Sequence, residues 1–491
     1  MKEDTFDVVV IGGGGSGLAA ASEAARHGAQ VLLIEKNAQL GGSTAWSVGS
    51  VSATQTRHQK KAGIHNDCPD WHFEDLGKFA GPLEARDNLG LRRILVDESP
   101  AMFEWLMDSG LVFLGPASEP PHRLPRMHNV VPGSKAYPYH LGRLCRGLGV
   151  GFRFSTRATA LRHANGRVQG VEAIDANGEH IFFRARKAVV LTSGDYSGGR
   201  ELKSQLASPA AAACDAVNVT NTGDGHAMAM AIGAQVVNGD LVHGPIMRFI
   251  PPADPTWIAK LPPQTWLGHA AVWAMTYLPN FLVRPILMSF ITTALGPDPG
   301  LFKAGGVLIN RHGKRFVDEM NKPALALVEQ DQGIGYIVLD GNMASRFTAW
   351  PHFVSTAPNV AHAYLPDYRR NRRDVYHQAQ TIEDLALQLQ MDPNILRQSL
   401  QENGRDTQAL TQAPFVALGP VKSYMVLTDG GLQVSERHEV IGNDGQPIAG
   451  LFAAGSVGQG GLLLYGHGHH LGWAFVSGRR AGRFAASHAV D

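Results

Sequence analysis

Short apolar runs separated by glycine-rich turns open the chain, and their spacing predicts alternating strands and helices. An apolar run at 8–11 precedes a glycine-rich segment at 12–17, small residues at 18–21 and a second apolar run at 31–34. Apolar, β-branched runs of this length are typical of strands buried on both faces of a parallel sheet. The pattern therefore predicts a strand, a tight turn, a helix and a second parallel strand.

Further along the chain the pattern predicts a β-meander. Residues 151–190 alternate as strands do, and the Asn-Gly pairs that begin at Asn165 and Asn177 are typical of hairpin turns. Apolar runs at 188–191 and 451–457 predict two more buried strands, each ending in small residues.

Composition changes at Gly239, which predicts a second domain. We expect 1–238 and 416–491 to form one domain and 239–415 to be inserted between them as a substrate-binding, or cap, domain. A chain of 491 residues is long enough for two cores.

The second domain contains an unusually apolar segment at 261–295. No Asp, Glu, Lys or Arg occurs between 261 and 283, but prolines such as Pro263 and Pro279 interrupt the segment. A broken backbone in lipid costs several kcal/mol, so we do not expect a membrane span. Three interpretations stay open: core of the second domain, a lid over an apolar substrate, or a peripheral contact with a membrane surface.

Charge and cysteine content exclude some classes of protein. The formal net charge is +1, which gives no reason to expect a nucleic acid partner. Three scattered cysteines fit reduced thiols. No signal-peptide pattern precedes the first strand, so we expect a cytoplasmic protein, with peripheral contact at the inner face of the membrane left open.

The glycine-rich segment carries the first candidate chemistry. Gly12, Gly14 and Gly17 fit G-x-G-x-x-G, in which the glycines allow the turn, the approach of a pyrophosphate and the packing of the helix on the strand. Glu35 ends the second strand, where a carboxylate accepts ribose hydroxyls. The segment Gly-Gly-Ser-Thr at 41–44 offers N–H and O–H donors to a phosphate or a flavin ring.

This order of motifs resembles the fumarate reductase and 3-ketosteroid dehydrogenase group of FAD-dependent flavoproteins. The resemblance implies an α/β fold, with a Rossmann-like FAD-binding domain, a β-meander and an inserted α+β cap domain. It also implies non-covalent FAD, with adenine near Ala158 and the flavin near 41–44 and Gly455. The expected cofactor-binding residues are Gly12, Gly14, Gly15, Ser16, Gly17, Glu35, Lys36, Gly41, Gly42, Ser43, Thr44, Ser47, Ala158, Ser193, Gly194, Asp224, Gly455, His470 and Leu471.

The glycine-rich stretch at 458–472 leads into a helix that we expect to begin near Leu471. Bare N–H groups and the positive end of a helix dipole would stabilise charge on a reduced flavin. We expect 468–472 to lie at the flavin. Three histidines crowd this stretch without a neighbouring acid or cysteine, so we expect no metal site. Asp224, in a Thr-Gly-Asp-Gly turn, is expected to cap the helix that follows it.

Three charged residues of the fumarate reductases are absent from the matching places. These places hold His470, Leu427 and, approximately, Pro323, which argues against a dicarboxylate substrate because paired arginines recognise one. The ketosteroid dehydrogenases hold a ketone oxygen with a tyrosine and a backbone N–H, which Tyr465 and Gly468 resemble.

We therefore expect an FAD-dependent oxidoreductase that acts on a CH–CH group beside a ketone of an apolar substrate. The candidate catalytic residues are Tyr465, Gly468, His467, His470 and Tyr139, with Tyr139 or His467 as the base. The electron acceptor is unknown. Two alternatives stay open: a flavin-dependent reductase of an α,β-unsaturated acid, and a non-catalytic flavoprotein that binds a membrane or a partner.

Overall fold

The computed structural model describes residues 2–254, 260–357, 361–401 and 410–489. The strands are β1 (Lys2–Ile11), β2 (Val31–Ile34), β3 (Ser50–Ser52), β4 (Val112–Ala117), β5 (Met127–Val131), β6 (Gly151–Arg153), β7 (Arg157–Ala164), β8 (Arg167–Ile174), β9 (His180–Leu191), β10 (Asp215–Ala216), β11 (Val236–Val237), β12 (Val242–His243), β13 (Ile246–Phe249), β14 (Val307–Asn310), β15 (Ile334–Leu339), β16 (Ser355–Ala357), β17 (Ala361–Ala363), β18 (Tyr376–Ala379), β19 (Phe415–Met425), β20 (Leu427–Thr428), β21 (Gly431–Leu432), β22 (Glu439–Ile441) and β23 (Pro447–Ala453). The helices are α1 (Gly15–Arg26), α2 (Gly42–Trp46), α3 (Arg57–Lys61), α4 (Pro69–Ala80), α5 (Leu89–Asp108), α6 (Ala136–Gly147), α7 (Arg200–Leu206), α8 (Pro209–Ala213), α9 (Asp224–Met230), α10 (Thr265–Tyr277), α11 (Asn280–Ala294), α12 (Gly300–Lys303), α13 (Pro323–Val328), α14 (Gly341–Arg346), α15 (Leu365–Asn371), α16 (Ile382–Leu389), α17 (Pro393–Gln401) and α18 (His469–Ala486).

The first sheet contains a parallel core in the order β6-β2-β1-β9-β23. Its central strands are apolar on both faces, and Val8, Val10 and Val189 have no exposed surface. Strands β7, β8 and β9 pair antiparallel at one side as a meander. This confirms the predicted α/β class, and the strands β1, β2 and β9 lie where the apolar pattern predicts them.

Helices α1 and α18 pack against each other on this sheet at very short distance. A Cβ atom at Gly478 or Gly482 of α18 would overlap the backbone carbonyl oxygen of Ser16 or Ala20 in α1. Small residues at helix crossings let two backbones approach closely, and a larger side chain here would separate the helices. The contact fixes the carboxyl-terminal helix relative to the amino-terminal βαβ unit.

A second sheet forms the core of the inserted domain. It runs β10-β19-β15-β14, with β13 and β18 also paired to β19. Buried Leu308, Ile337 and Leu418 lie in one of its apolar clusters. The long strand β19 extends to Met425, beyond the expected boundary at 415. Two short pairings, β11 with β21 and β12 with β20, join the beginning of the insert to the segment that follows β19.

The apolar segment at 261–295 forms the two helices α10 and α11. One face of α11 buries Met288 and Ile291 in the second core, so part of the segment is core. Most of its remaining large side chains are exposed, Tyr277 and Phe281 by more than 70%. Across the described ranges, none of the helices is both long and apolar enough to cross a bilayer. The lid and membrane-surface interpretations stay predictions.

Several buried histidines make the folded chain sensitive to acid. Burial lowers the pKa of His122, His128, His226, His438 and His469. The His438 ring packs against Trp473 of α18, and neither of its nitrogens has a hydrogen-bond partner among the described residues. Burial, helped by the charges of Arg480 and Arg483, lowers the pKa of His438 to about 3.

Replacing His438 by glutamine should therefore make stability less dependent on pH. The unfolded chain binds a proton at this position below its ordinary pKa of 6.5, whereas the folded chain resists it until about pH 3, so stability falls as pH decreases through that window. At pH 5 one such histidine destabilises the folded state by about 2 kcal/mol. Urea unfolding at pH 7 and pH 5 measures how much unfolding free energy is lost between the two pH values. We expect this loss to be smaller in His438→Gln than in the parent. The exposed His65→Gln variant should behave as the parent does; an equal pH dependence in all three proteins would contradict the prediction.

Candidate active site

A long cleft runs across the carboxyl ends of the parallel strands β1, β2 and β9. Residues directly after these strands line it, including Gly12, Glu35 and Ser193. The carboxyl edge of a parallel sheet is where ligands bind in open α/β folds. The cleft continues past α2 to the amino end of α18, so one groove joins the glycine-rich turn to the carboxyl-terminal helix.

Each of the three glycines of the motif has the role that the motif predicts for it. A Cβ at Gly12, whose φ is +110°, would lie 2.5 Å from the carbonyl oxygen of Thr192. A Cβ at Gly17 would overlap the carbonyl oxygen of Gly12, so this glycine packs helix on strand. At Gly14 the nearest atom to a Cβ, Gly41 O, is 3.9 Å away. Gly14 therefore presents bare backbone to the cleft at the start of α1.

Charged side chains organise the end of the cleft beside β2. The Glu35 carboxylate accepts hydrogen bonds from Gly13 N at 2.7 Å and Asn37 N at 2.8 Å. Lys36 Nζ lies 2.7 Å from Asp224 Oδ2. The predicted cap role of Asp224 is wrong: Gly223 is the N-cap residue, in a left-handed conformation, and Asp224 is the first residue of α9. The ion pair with Lys36 instead draws its carboxylate to the cleft wall.

Hydroxyl and amide groups line the middle of the cleft. Ser43 Oγ accepts hydrogen bonds from Asn218 Nδ2 at 2.9 Å and Asn221 Nδ2 at 2.8 Å. Both acceptor positions of the Ser43 hydroxyl are thereby occupied, so its O–H is available to donate a hydrogen bond to another group. Thr44 Oγ1 accepts from Gly15 N at 3.0 Å. Ser193 Oγ is buried and has no hydrogen-bond partner in the described part of the chain.

The amino end of α18 forms the far wall. The helix begins at His469, two residues before the predicted start, and its N-cap Gly468 has φ +85°. A Cβ at Gly468 would lie 2.5 Å from Ser52 N. Ser52 Oγ donates to His467 O at 2.7 Å, which fixes the loop against β3. This end of an 18-residue helix presents N–H groups and the positive end of its dipole to the cleft.

The candidate catalytic residues fall into two sets. Gly468, His467 and His470 line the cleft, whereas Tyr465 and Tyr139 are not among its lining residues. The Tyr465 ring contacts the His243 ring in a tilted arrangement, with 4.8 Å between centroids. Tyr139 lies on α6 against neighbours of its own helix, with the His140 ring at 5.0 Å and Arg143 over its face.

Their surroundings also set the charge of the two histidines. His467 is exposed, and its backbone N–H donates to Glu119 at 2.9 Å. A hydrogen bond from its ring to the same carboxylate raises the pKa of His467. Desolvation by the surrounding protein lowers the pKa of His470 to about 4, so this ring is neutral near pH 7.

Most of the expected cofactor-binding residues line the cleft, and two stand behind it. Gly17 packs the helix, and Gly41 N donates to Gly13 O at 2.9 Å in the supporting turn. Lining residues absent from the expected set include Gly13, Asn37, Trp46, Val48, Thr156, Asn218, Thr220, Asn221, Arg248, Val426, Leu427 and Ser456.

One missed residue brings a positive charge to the far end. Arg248 lies on β13 and lines the cleft together with the apolar Val426 and Leu427. Burial lowers the pKa of Arg248, but an arginine stays charged. The only signal in the sequence was one basic residue in a short apolar strand.

A second missed group lies behind His470. His243 Nε2 donates to Asp429 Oδ2 at 2.7 Å, and Gln459 Nε2 donates to Asp429 Oδ1 at 3.0 Å. The His470 ring stands edge-on to His243 at 5.9 Å. Burial alone would raise the pKa of Asp429, but the hydrogen bond and charge of His243 outweigh it and lower that pKa. The pairing of β12 with β20 brings these distant residues together.

Two clusters among the described residues have metal-ligand chemistry. One is His243, Asp429 and His470, and the other is the buried trio His72, His122 and His469. In the trio, Arg126 Nη1 donates to His122 Nδ1 at 2.9 Å, which leaves the proton on Nε2. His122 therefore cannot ligate an ion through Nε2 without losing that proton. The expected absence of a metal stays a prediction.

The cleft fits a flavin dinucleotide on three structural grounds. Gly14 leaves open space where a pyrophosphate would approach, and α1 and α18 each present an amino end to the groove. Ser193 has an unused buried hydroxyl. The donors would be the N–H groups of the 12–17 turn and of the α18 end, and Glu35 would accept from ribose.

Comparison with known proteins agrees with this fit. A family model described as FAD binding domain matches residues 7–253 and 265–466. Vinyl phenol reductase of Lactiplantibacillus plantarum is 27% identical and covers 99% of this chain and 97% of its own. The probable fumarate reductase Ifc3 of Shewanella frigidimarina is 26% identical, over 99% of this chain and 76% of its own.

Solved structures show the same fold. A flavocytochrome c3 fumarate reductase aligns with TM-score 0.75 and 23% identity, over 99% of this chain and 79% of its own. The 3-ketosteroid Δ1-dehydrogenase of Sterolibacterium denitrificans aligns with TM-score 0.66 and 18% identity, over 98% of this chain and 99% of its own. At these identities the likeness shows the fold alone. The sequence relatives do not specifically favour the expected ketosteroid branch.

Gly14→Ala should weaken FAD binding without unfolding the chain. The added methyl group comes no closer than 3.9 Å to a protein atom, the carbonyl oxygen of Gly41, but it enters the space where a phosphate would approach. We expect at least about a tenfold weaker affinity, because a phosphate contact of this kind is worth at least 1.4 kcal/mol. Flavin fluorescence quenching measures the affinity, and urea unfolding of the apoprotein checks the fold. Gly133→Ala, where a Cβ meets nothing, is the matched control; equal affinity in both variants would contradict the assignment.

Proposed function

The chain belongs to the family of flavoprotein oxidoreductases that share this FAD binding domain, and on that premise we propose that it reduces a conjugated carbon–carbon double bond. The proposed substrate is an alkene conjugated with a single oxygen-containing group, such as a carboxylate, a phenol or a carbonyl. One observation carries this proposal: the guanidinium of Arg248 lines the cleft together with the apolar side chains of Val426 and Leu427.

Arg248 supports recognition of one oxygen group and not of two. Among the described lining residues the other lysine or arginine is Lys36, which is paired with Asp224 on another wall. A dicarboxylate calls for more than one bidentate cation. The relative named vinyl phenol reductase supports the same reading, since a vinyl phenol is an alkene conjugated with a single oxygen group.

When bound, FAD supplies the hydride chemistry that reduction of a carbon–carbon double bond requires. The chain must bind the alkene, polarise it and deliver a proton. Arg248 would bind the acceptor oxygen and draw electron density toward it. The neutral ring of His470 would donate an N–H hydrogen bond to the substrate, which orients it without adding a second charge. Leu427 and Leu471 would cover the hydrocarbon part and exclude water.

The Asp429–His243 pair is the proposed source of the proton. Asp429 is buried and ionised, and it accepts the Nε2 proton of His243. His243 is partly exposed, so solvent can replenish its proton, and His470 lies between this pair and the cleft. The pair would thus hold a proton close behind the ring that faces the substrate. This arrangement would replace the arginine that the family resemblance leads us to expect near Pro323.

The ketone-directed reaction is the second candidate. Gly468 lines the cleft and its neighbourhood could bind a ketone oxygen, which supports it. Tyr465, the expected second group for binding the ketone oxygen, contacts the His243 ring and does not line the cleft. Burial raises the pKa of its hydroxyl. The two candidates differ in which residue binds oxygen: Arg248 in the first and Tyr465 in the second.

Arg248→Gln should raise KM for alkenes that carry a carboxylate or a phenol by about 10- to 100-fold, because a charge-assisted hydrogen bond is worth about 1.5–3 kcal/mol. Neutral enones should lose much less. The measurement is oxidation of a reduced dye by the holoenzyme with cinnamate, 4-vinylphenol and an apolar enone. Arg248→Lys keeps the charge but not the planar fork, so we expect an intermediate effect. Activity on enones alone, unchanged by either variant, would overturn the proposal in favour of the ketone reaction.

Asp429→Asn should lower kcat by about 100-fold or more, since proton transfer by a positioned side chain contributes about 10²–10⁴-fold. FAD content and KM should change little, and the solvent deuterium isotope effect on kcat should increase. Tyr465→Phe keeps the ring contact with His243 and serves as the matched control, with nearly normal turnover. Loss of turnover in Tyr465→Phe together with normal turnover in Asp429→Asn would reverse the assignment.

A further inference from the structure

Helices α10 and α11, residues 265–294 and here called the apolar hairpin, expose an unusual amount of apolar surface. About half of the large apolar side chains that the described residues expose lie on it. The exposed members are Trp266, Trp273, Met275, Tyr277, Phe281, Leu282, Ile286 and Phe290. Exposed apolar patches of this extent mark interaction sites.

Each helix is attached to the body by a narrow strip only. Helix α10 rests on β4 at Gly268, where a Cβ would lie 2.9 Å from Val112 Cβ, and Thr265 Oγ1 donates to Gly110 O at 2.8 Å. Helix α11 is anchored by Met288 and Ile291. The remaining faces of both helices are as apolar as the attached ones. Helices that are apolar all round are normally covered.

The charged residues on and beside the hairpin are mainly basic. No Asp or Glu occurs between Asp254 and Asp298. Within the hairpin Arg284 is paired with Asp367 of α15 at 2.8 Å. The last turn of α15, which packs on α11, carries the exposed Arg369 and Arg370.

The base of α10 has a basic border as well. His140 Nε2 lies 2.8 Å from Pro263 O, which joins α6 to the start of α10. The exposed Arg143 follows on the same helix, and the exposed Lys260 precedes α10. Basic residues therefore flank the apolar surface on both of its attached sides.

We propose that the apolar hairpin docks on a lipid bilayer containing anionic headgroups. Aromatic side chains with polar edges, as in Trp266, Trp273 and Tyr277, suit the boundary between headgroups and acyl chains. The exposed Lys260 and Arg143 beside the base of α10 complement anionic lipid, and Arg369 and Arg370 of α15 add positive charge next to α11. A second copy of the chain would bring the same acid-free, basic-bordered surface against itself, so like charges would meet. Two short helices joined at Pro279 suit insertion at the interface and not a crossing.

The hairpin is also close to the candidate active site. Helix α10 contacts β4 and β5, and β5 pairs with β3, whose Ser50 lines the cleft. Exposed Trp46, just before that strand, lines the cleft too. An enzyme docked through the hairpin would hold its cleft near the membrane, which suits an apolar substrate drawn from lipid. The docking itself does not depend on the proposed reaction.

Sedimentation of the purified holoprotein with vesicles tests the proposal. We expect the protein to pellet with vesicles of phosphatidylcholine and phosphatidylserine and to pellet less with phosphatidylcholine alone. The double variant Tyr277→Ser, Phe281→Ser should lower partitioning at least about tenfold, because it removes two exposed aromatic side chains that would insert at the interface. Arg369→Gln with Arg370→Gln should weaken binding to the anionic vesicles only. Tryptophan emission of the parent should shift to the blue on binding.

The control is the variant Leu89→Ser, Ile395→Ser, which removes two exposed apolar side chains from α5 and α17. It should pellet as the parent does, and all variants should keep the parent's FAD content and melting temperature. Two results would overturn the proposal. One is the absence of pelleting with either vesicle. The other is light scattering that shows a stable dimer which Tyr277→Ser, Phe281→Ser dissociates, since that would assign the surface to a second copy.

Discussion

The close approach of α1 and α18 on the parallel sheet is the constraint on which the site depends. Glycine at 478 and 482 lets the two helix backbones touch, and glycine at 12 and 17 lets α1 reach its strand. Because both helices are held this closely, their amino ends open on one cleft although they lie at opposite ends of the chain. The groove for the cofactor is thus a consequence of backbone packing that any larger side chain would prevent.

Desolvation decides the chemistry available at the far end of that cleft. It keeps His470 neutral near pH 7, whereas Asp429 stays ionised because His243 compensates its burial. Arg248 retains its charge in apolar surroundings. The result is one guanidinium, one neutral donor and one hydrogen-bonded Asp–His pair, a set suited to binding a single oxygen group while leaving the hydrocarbon of a substrate against apolar walls.

The inserted domain serves both the cleft and the surface. Its first strands carry Arg248 to the cleft and His243 to a position behind His470, and the apolar hairpin follows these strands along the chain. The hairpin rests on the first domain through α10 and on the second through α11.

The sequence by itself determined the βαβ unit, the meander, the cofactor and nearly half of the residues that line its cleft. Those features follow from local patterns: the periodicity of apolar residues, Asn-Gly turns and glycines at fixed spacing. Only the tertiary structure decided that Arg248, His243 and Asp429 stand at the far end, that Tyr465 and Tyr139 do not line it, and that the apolar hairpin is largely exposed. The reason is physical. Val242 and Thr428 pair across β12 and β20 although long stretches of chain separate them, and no local pattern specifies which distant strands pair.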